Sequence, residues 1–210
     1  MPNAKGPSAR DRLLAATEDM LRETGMAGTG IKDVVARSGA PIGSLYHYFP
    51  GGKTQLVSEA LEIQASKVRA LIGRFFDDRR SAAAAVEALF DNAADGFNRA
   101  GAGKGCAIGA VALDLTSSDV EIAVRCREAF DTWVALIAPR LPFADDRTRR
   151  SFALTIVAAL EGAFVLSRAA HDGRPFRDVG KWLAAMLSAH SAKRVRRRRR
   201  NVKSKSATTQ

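Results

Sequence analysis

Tyr46, His47 and Tyr48 stand side by side in the stretch Gly43-Ser44-Leu45-Tyr46-His47-Tyr48-Phe49, and they bring two phenol hydroxyls and an imidazole to one short segment. Such groups hydrogen-bond to phosphate oxygens and base edges. Gly43 and Ser44, just ahead of them, are small enough for close approach to a groove. Lys53 lies where a further helix could present its charge and N-terminal N–H groups to a phosphate. Covalent and metal chemistry find less support. Gly52-Lys53-Thr54 ends like a phosphate-binding loop, but that loop needs glycine at position 47, where His47 sits. Gly101-Ala102-Gly103 begins like a dinucleotide fingerprint, yet position 106 is cysteine and no strand pattern precedes it. His47, His171 and His190 are scattered, and the carboxylates lie among arginines on solvated faces, so no nucleophile–base pairing is defined. The chain is expected not to be an enzyme, with no cofactor and no metal. Cys106 and Cys126 lack both a Cys-x-x-Cys spacing and neighbouring histidines, and they read as buried free thiols.

The elements that position the Tyr-His-Tyr row are legible from spacing. Thr29 is suited to cap a helix whose Ile31, Val34, Val35 and Ser38 share one face. Gly39 ends it in a conformation that costs glycine little. A second helix starts at Pro41 and is anchored by Ile42, Leu45 and Phe49. Two short helices joined by a tight glycine turn form a helix-turn-helix. The duplex contacts expected of it are Tyr46, His47 and Tyr48, with Pro41 and Gly43 at the helix start, Ser44 near base edges, and Thr29 and Lys53 on phosphates.

The rest of the chain is helical by periodicity, with no convincing strand and no internal repeat. A capping box at Ser8-Ala9-Arg10-Asp11 opens a first helix that Gly25 ends. A long fourth helix follows Lys53 to about residue 76, and Ser81 caps an alanine-rich fifth. Further helices are expected over about 108–115, 120–139, 146–171 and 176–190. The expected fold is all-α: an N-terminal three-helix helix-turn-helix domain (with its arm, residues 1–53), a larger helical domain for effector binding and dimerisation (54–190), and a disordered basic tail (191–210). Phe152 to Phe164 is apolar on more than one face, with Glu161 almost the only interruption. Such a helix needs burial on all sides, part of it from a second subunit.

Charge is concentrated at the ends. The net charge is +11, of which residues 191–210 supply +9, residues 1–53 supply +2, and residues 54–190 nothing. The tail run Lys193-Arg194-Val195-Arg196-Arg197-Arg198-Arg199-Arg200 suits sequence-independent phosphate contact. The neutral, aromatic middle suits an apolar pocket between helices, for which Phe75, Phe90, Phe97, Trp133 and Phe164 are the candidate lining residues. No secretory h-region and no run of about 18 apolar residues is seen, so a soluble cytoplasmic protein is expected.

Residues 10–60 resemble the N-terminal domain of TetR-type transcriptional regulators. The landmarks are the amphipathic first helix, Thr29, Val34-Val35-Ala36, Gly39, and the Gly-Ser-Leu-Tyr-His-Tyr-Phe run closed by Lys53. The Pro50-Gly51-Gly52-Lys53 ending, with Gly105-Cys106-Ala107-Ile108-Gly109-Ala110, is similar to the LmrA/YxaF-like branch. The resemblance implies a homodimer paired through its last two helices. Its two reading helices would occupy a palindromic double-stranded DNA operator as a repressor, until a small apolar effector spreads them apart. The alternative is a sequence-nonspecific architectural nucleic-acid-binding protein driven by the Arg-rich tail.

Overall fold

The computed structural model describes residues 6–79, 81–101 and 103–207, the stretch 194–207 by its helical backbone alone. Residues 1–5 of the expected arm, Ala102 of the glycine-rich break, residues 208–210 and the side chains of the arginine run from Arg194 lie outside the described residues. Among the described residues there are nine α-helices and no strand: α1 (Ala9–Thr24), α2 (Ile31–Ser38), α3 (Ile42–Tyr48), α4 (Gly52–Asp77), α5 (Ala82–Arg99), α6 (Ala107–Asp114), α7 (Val120–Ile137), α8 (Asp146–Ala170) and α9 (Arg174–Ala207).

Side-chain caps open three of the helices, α1, α5 and α8. Ser8 accepts a bond from the Asp11 N–H while the Asp11 carboxylate accepts from the Ser8 N–H, the reciprocal arrangement of a capping box. The Ser8 hydroxyl, which donates to the Asp11 carboxylate at 2.7 Å, and then the Ser8 N–H hold that carboxyl below the usual carboxylate range. Ser81 and Asp145 cap α5 and α8 by a single bond each, their side-chain oxygens accepting the N–H groups of Ala84 and Thr148.

Helices α1, α2 and α3 form a small head, and α4 leaves it to pack along α7 in the body. Because α4 begins at Gly52, the boundary expected at residue 53 falls within its first turn. In the body, α5 lies on α9 and α8 packs between α7 and α9. The aromatic filling is continuous there: Phe176 stacks edge-on against Phe164 at 4.8 Å and lies 5.9 Å from Phe97. Trp133 is buried and donates its indole N–H to the Ala65 carbonyl at 3.3 Å.

One expectation is corrected. The tail expected to be disordered from residue 191 is instead the continuation of α9, which runs to Ala207. Its residues after Gly180 include neither glycine nor proline. Arginine, lysine and alanine are good helix formers, and each added residue extends a helix already nucleated by packing. Helix α8 contains an 18-residue window of mean hydropathy 1.6, long and apolar enough to cross a membrane by composition, and only a third of it is buried. Ala153, Ile156, Leu160 and Ala163 face the core, whereas Leu154, Val165 and Leu166 are exposed.

Candidate DNA-reading head and effector cavity

The head is a frame with its polar aromatics turned outward. Leu45 on α3 and Phe49 just past its end are both 0% exposed, while Tyr46 is 56% and Tyr48 38% exposed. His47 lies between them on the surface, its ring 4.9 Å from that of Tyr48 and edge-on to it. Pro41 and Gly43 are exposed and Ser44 half-exposed, so the expected reading set shares one open face. Ile42 departs from its expected anchoring role, being 52% exposed. Pro41 is the residue that caps α3 in extended backbone, rather than its first helical residue. Gly39 adopts the left-handed conformation (φ 61°, ψ 17°) that turns the chain from α2 to α3, a region that costs other residues about 1–2 kcal/mol.

The frame is tied by polar bonds as well as packing. Arg12 on α1 donates to the Ser38 carbonyl at 3.1 Å and to the Pro7 carbonyl at 2.9 Å. Arg10 pairs with Glu59 of α4. Thr29 corrects its expectation: it is 1% exposed and donates its hydroxyl to the Gly25 carbonyl at 2.6 Å, and Gly30 occupies the N-cap of α2. Its hydroxyl closes the α1–α2 turn from inside and is not presented to a phosphate. Lys53 is half-buried and donates to the Met26 carbonyl at 2.8 Å, fastening the start of α4 to the same turn.

The five aromatic residues expected to line a pocket do not share one. Phe90 and Phe97 are fully buried in the α5–α9 core. Phe75 lies beneath the guanidinium groups of Arg74 and Arg79. Trp133 borders a separate groove of about 140 Å³ with Arg69 and Arg125. Only Phe164 reaches the apolar cavity of the body, about 320 Å³ between α6, α7 and α8. The physical reason is plain: aromatic stripes fill the core, and space opens where side chains are small. Gly105, Gly109, Ala110 and Gly162 line that cavity together with Phe130 and Phe164.

One acid enters this apolar lining. Glu161 of α8 lines the cavity, and its Oε1 is shielded from solvent with no hydrogen-bond partner among the described residues. Burial pushes its carboxyl up to about 7, with the neighbouring Cys106 thiol acting in the opposite sense. Burial first, and the Glu161 charge second, push the Cys106 thiol well up. Cys126 is also buried, raised to about 11, so both cysteines are free, buried thiols. Gly109 is required by proximity: a Cβ there would lie 2.1 Å from Glu161 Oε2. Glu161 was legible as the lone charge in the 152–164 stretch; its burial against Gly109 was not. Among the described residues, no cluster of His, Cys, Asp and Glu is arranged to hold a metal ion.

Cavity and head are joined directly. At the N-terminal end of α6, the Gly105 N–H donates to the Arg22 carbonyl at 2.8 Å, and Arg22 Nε returns a bond to the Gly105 carbonyl at 3.1 Å. At its C-terminal end, Asp114 accepts the Ala27 N–H at 3.0 Å. Lys104 bridges Asp19 and Glu23, and Arg168 of α8 donates to the Glu23 carbonyl.

A three-helix head with an outward-facing turn helix, set on a helical body, defines a helix-turn-helix DNA-binding protein. The comparisons make this specific. Residues 13–60 match the N-terminal model of the bacterial tetR regulatory proteins. Residues 82–182 match the C-terminal domain of LmrA/YxaF-like transcriptional regulators. An HTH-type transcriptional regulator of Mycobacterium tuberculosis is 32% identical over 199 residues, covering 91% of this chain and 100% of its own. Bacillus subtilis LmrA is 27% identical over 181 residues, covering 85% and 96% respectively. In three dimensions, a TetR regulatory protein of Rhodobacter sphaeroides superposes with a TM-score of 0.77 at 20% identity, covering 84% of this chain and 97% of that one. The TetR family regulator CifR, solved with a 26-bp double-strand operator DNA, superposes at 0.74 and 18% identity, covering 88% and 98%. The chain belongs to the TetR family of DNA-binding transcriptional regulators, with a C-terminal domain of the LmrA/YxaF-like type.

Proposed function

We propose that this regulator is a cytoplasmic homodimeric repressor that occupies a palindromic operator and is released when a small, largely apolar molecule enters the α6–α7–α8 cavity. The observation that carries this reading is the double fastening of α6 to the head. The helix that walls the cavity is bonded to Arg22 at one end and to Ala27 at the other. A ligand that shifts α6 therefore acts on the α1–α2 turn that supports α3. In the DNA-bound form, Tyr46, His47 and Tyr48 contact the duplex and Ser44 faces base edges, with Pro41 and Gly43 at the closest approach. The similarly folded CifR was solved with a 26-bp operator duplex, which supports a DNA-binding role for a chain of this fold. Lys53 contributes positive charge while holding the turn.

The dimer reading rests on exposed apolar area on two adjacent helices. Leu154 and Val165 on α8 are each 57% exposed, Trp182 on α9 is 71% and Met186 48%. Large apolar side chains exposed on neighbouring helices suit an association surface. A two-fold axis there presents two α3 helices to two half-sites.

The test begins by selecting the preferred duplex from a random library. A palindrome is expected, bound several kcal/mol more tightly than bulk DNA. Trp182→Glu should leave a folded monomer by light scattering and abolish binding to the full palindrome. Selection of no preferred sequence would reject the repressor reading and return the chain to nonspecific binding.

A further inference from the structure

The α6–α7–α8 cavity is at the small end of the ~300–1,000 Å³ range of ligand sites, and its lining is apolar apart from Arg168, whose guanidinium is turned to the head, and one deep point. That point is Glu161. Buried polar groups are almost always partnered, so an unpartnered oxygen beside a cavity wide enough for a ligand calls for a donor from outside the chain. The groups facing it identify which donor. On the α6 side stands Cys106, a thiol kept neutral by burial. From α7 comes Phe130, which does not titrate. On α8 itself stands Arg168, whose guanidinium is directed to the Glu23 carbonyl in the head. Among the described residues no ion pair reaches the Glu161 carboxyl. Phe130 and Phe164 offer aromatic faces in the same cavity, which also attract cations.

We infer that the cavity takes an apolar molecule bearing a protonated amine, with the ammonium group bonded to Glu161 and the apolar body between Phe130 and Phe164. This rests on the effector reading above and adds the chemical class of the effector. A buried carboxylate is costly without a counter-charge, and a bound ammonium supplies both the charge and the missing hydrogen bond. Gly109 gives the carboxylate room on its other side. With its carboxyl raised to about 7, Glu161 is partly protonated near neutral pH, so ammonium binding draws off its proton.

The test uses a matched series on the full-length protein: 4-phenylbutylamine, 4-phenylbutanol and 4-phenylbutyrate, titrated calorimetrically. The amine is expected to bind at least tenfold more tightly than the alcohol, with the carboxylate weakest. Amine affinity should rise several-fold from pH 6 to pH 8. At pH 6.5 amine binding should release protons to the buffer, detected by comparing buffers of different ionisation enthalpy, and alcohol binding should not. Glu161→Gln should bring amine and alcohol to within about threefold of each other. The proton-release measurement uses the unaltered chain and does not depend on the variant folding. Equal binding of amine and alcohol, tighter binding of the carboxylate, no binding of any probe, or an amine preference that survives in Glu161→Gln would overturn the inference. Displacement of the selected operator is read separately. If the amine binds with the predicted Glu161 dependence and leaves the DNA occupied, the recognition inference stands and the effector reading falls.

Discussion

The DNA-reading head and the body cavity solve opposite problems with similar helices. In the head, the anchors Leu45 and Phe49 are sealed inside and the polar aromatics Tyr46, His47 and Tyr48 face outward, where water satisfies them. In the cavity, small residues leave a space and Glu161 is kept inside it with an oxygen unpartnered. The head is finished before it meets its partner. The cavity holds an unmet polar group that a partner would complete. The difference predicts that substitutions on the head's open face change binding without changing stability, whereas substitutions at Glu161 change both.

The largest effect is expected on the head. Replacing Tyr46 and His47 together by alanine should lower affinity for the selected operator by about 100-fold or more, each good base contact being worth about 1–3 kcal/mol. Because both side chains are exposed, the melting temperature and the dimer should be unchanged. Gel shift with light scattering tests this, and undiminished operator binding would place the reading surface elsewhere.

At the cavity the sharpest probe is pH. Unfolded Glu161 titrates near its ordinary 4.5 and folded Glu161 near 7. Between these values the folded chain holds a proton that the unfolded chain lacks, so its stability falls as pH rises through that window. The loss is complete above the folded value. It is of order 3 kcal/mol, each tenfold in protonation equilibrium being about 1.4 kcal/mol. Urea denaturation from pH 5 to pH 8 should show Glu161→Gln gaining on the unaltered chain over this range. Parallel profiles would mean that the carboxyl is better solvated than its surroundings imply.

Much of the head was legible in sequence because its signals are local. Gly39, the Leu45/Phe49 spacing and the row from Tyr46 to Tyr48 specify turn, anchor and face within a few residues. What was missed there depended on packing. Thr29 looks like a cap, but the turn folds it inward onto Gly25, and Ile42 looks like an anchor, but α3 starts on the open side. The cavity was less legible because it is made of absences. Gly105, Gly109 and Gly162 come from two distant segments, and no spacing rule marks a void. The aromatic residues that attract attention, Phe90 and Phe97, went to the core instead. The helical continuation of α9 was hidden by charge: a basic run without apolar periodicity reads as disorder, although its residues favour helix.

Gly109 tests how tightly the cavity is built around its acid. Alanine in an exposed helix would gain about 1 kcal/mol over glycine, but here its Cβ would press on Glu161 Oε2, and overpacking of this kind costs about 1–3 kcal/mol. Gly109→Ala should therefore be neutral or destabilising in the unaltered chain and stabilising in a Glu161→Ala background. The double-mutant cycle should give a coupling of about 1–3 kcal/mol. Additive effects would show that the carboxylate moves aside freely, which would also weaken the case for it as a fixed recognition point.

The smallest effect, and the one that bears on both regions at once, is expected at Asp114. Its carboxylate accepts the Ala27 N–H across the junction between α6 and the α1–α2 turn, at an exposed position where water can replace it. Asp114→Ala should then alter fold stability and ligand-free operator affinity little. It should weaken the release of DNA by a cavity ligand a few-fold, in keeping with couplings of about 0.5–2 kcal/mol carried by single junction residues. Cavity affinity measured with and without operator gives the same coupling from the other side, because linkage between two sites is reciprocal. Unaltered coupling in this variant would leave the Gly105–Arg22 contact at the other end of α6, with Lys104 and Arg168 beside it, to carry the connection. The N-terminal end of α6 would then be the hinge, and its C-terminal end would only rest against the head.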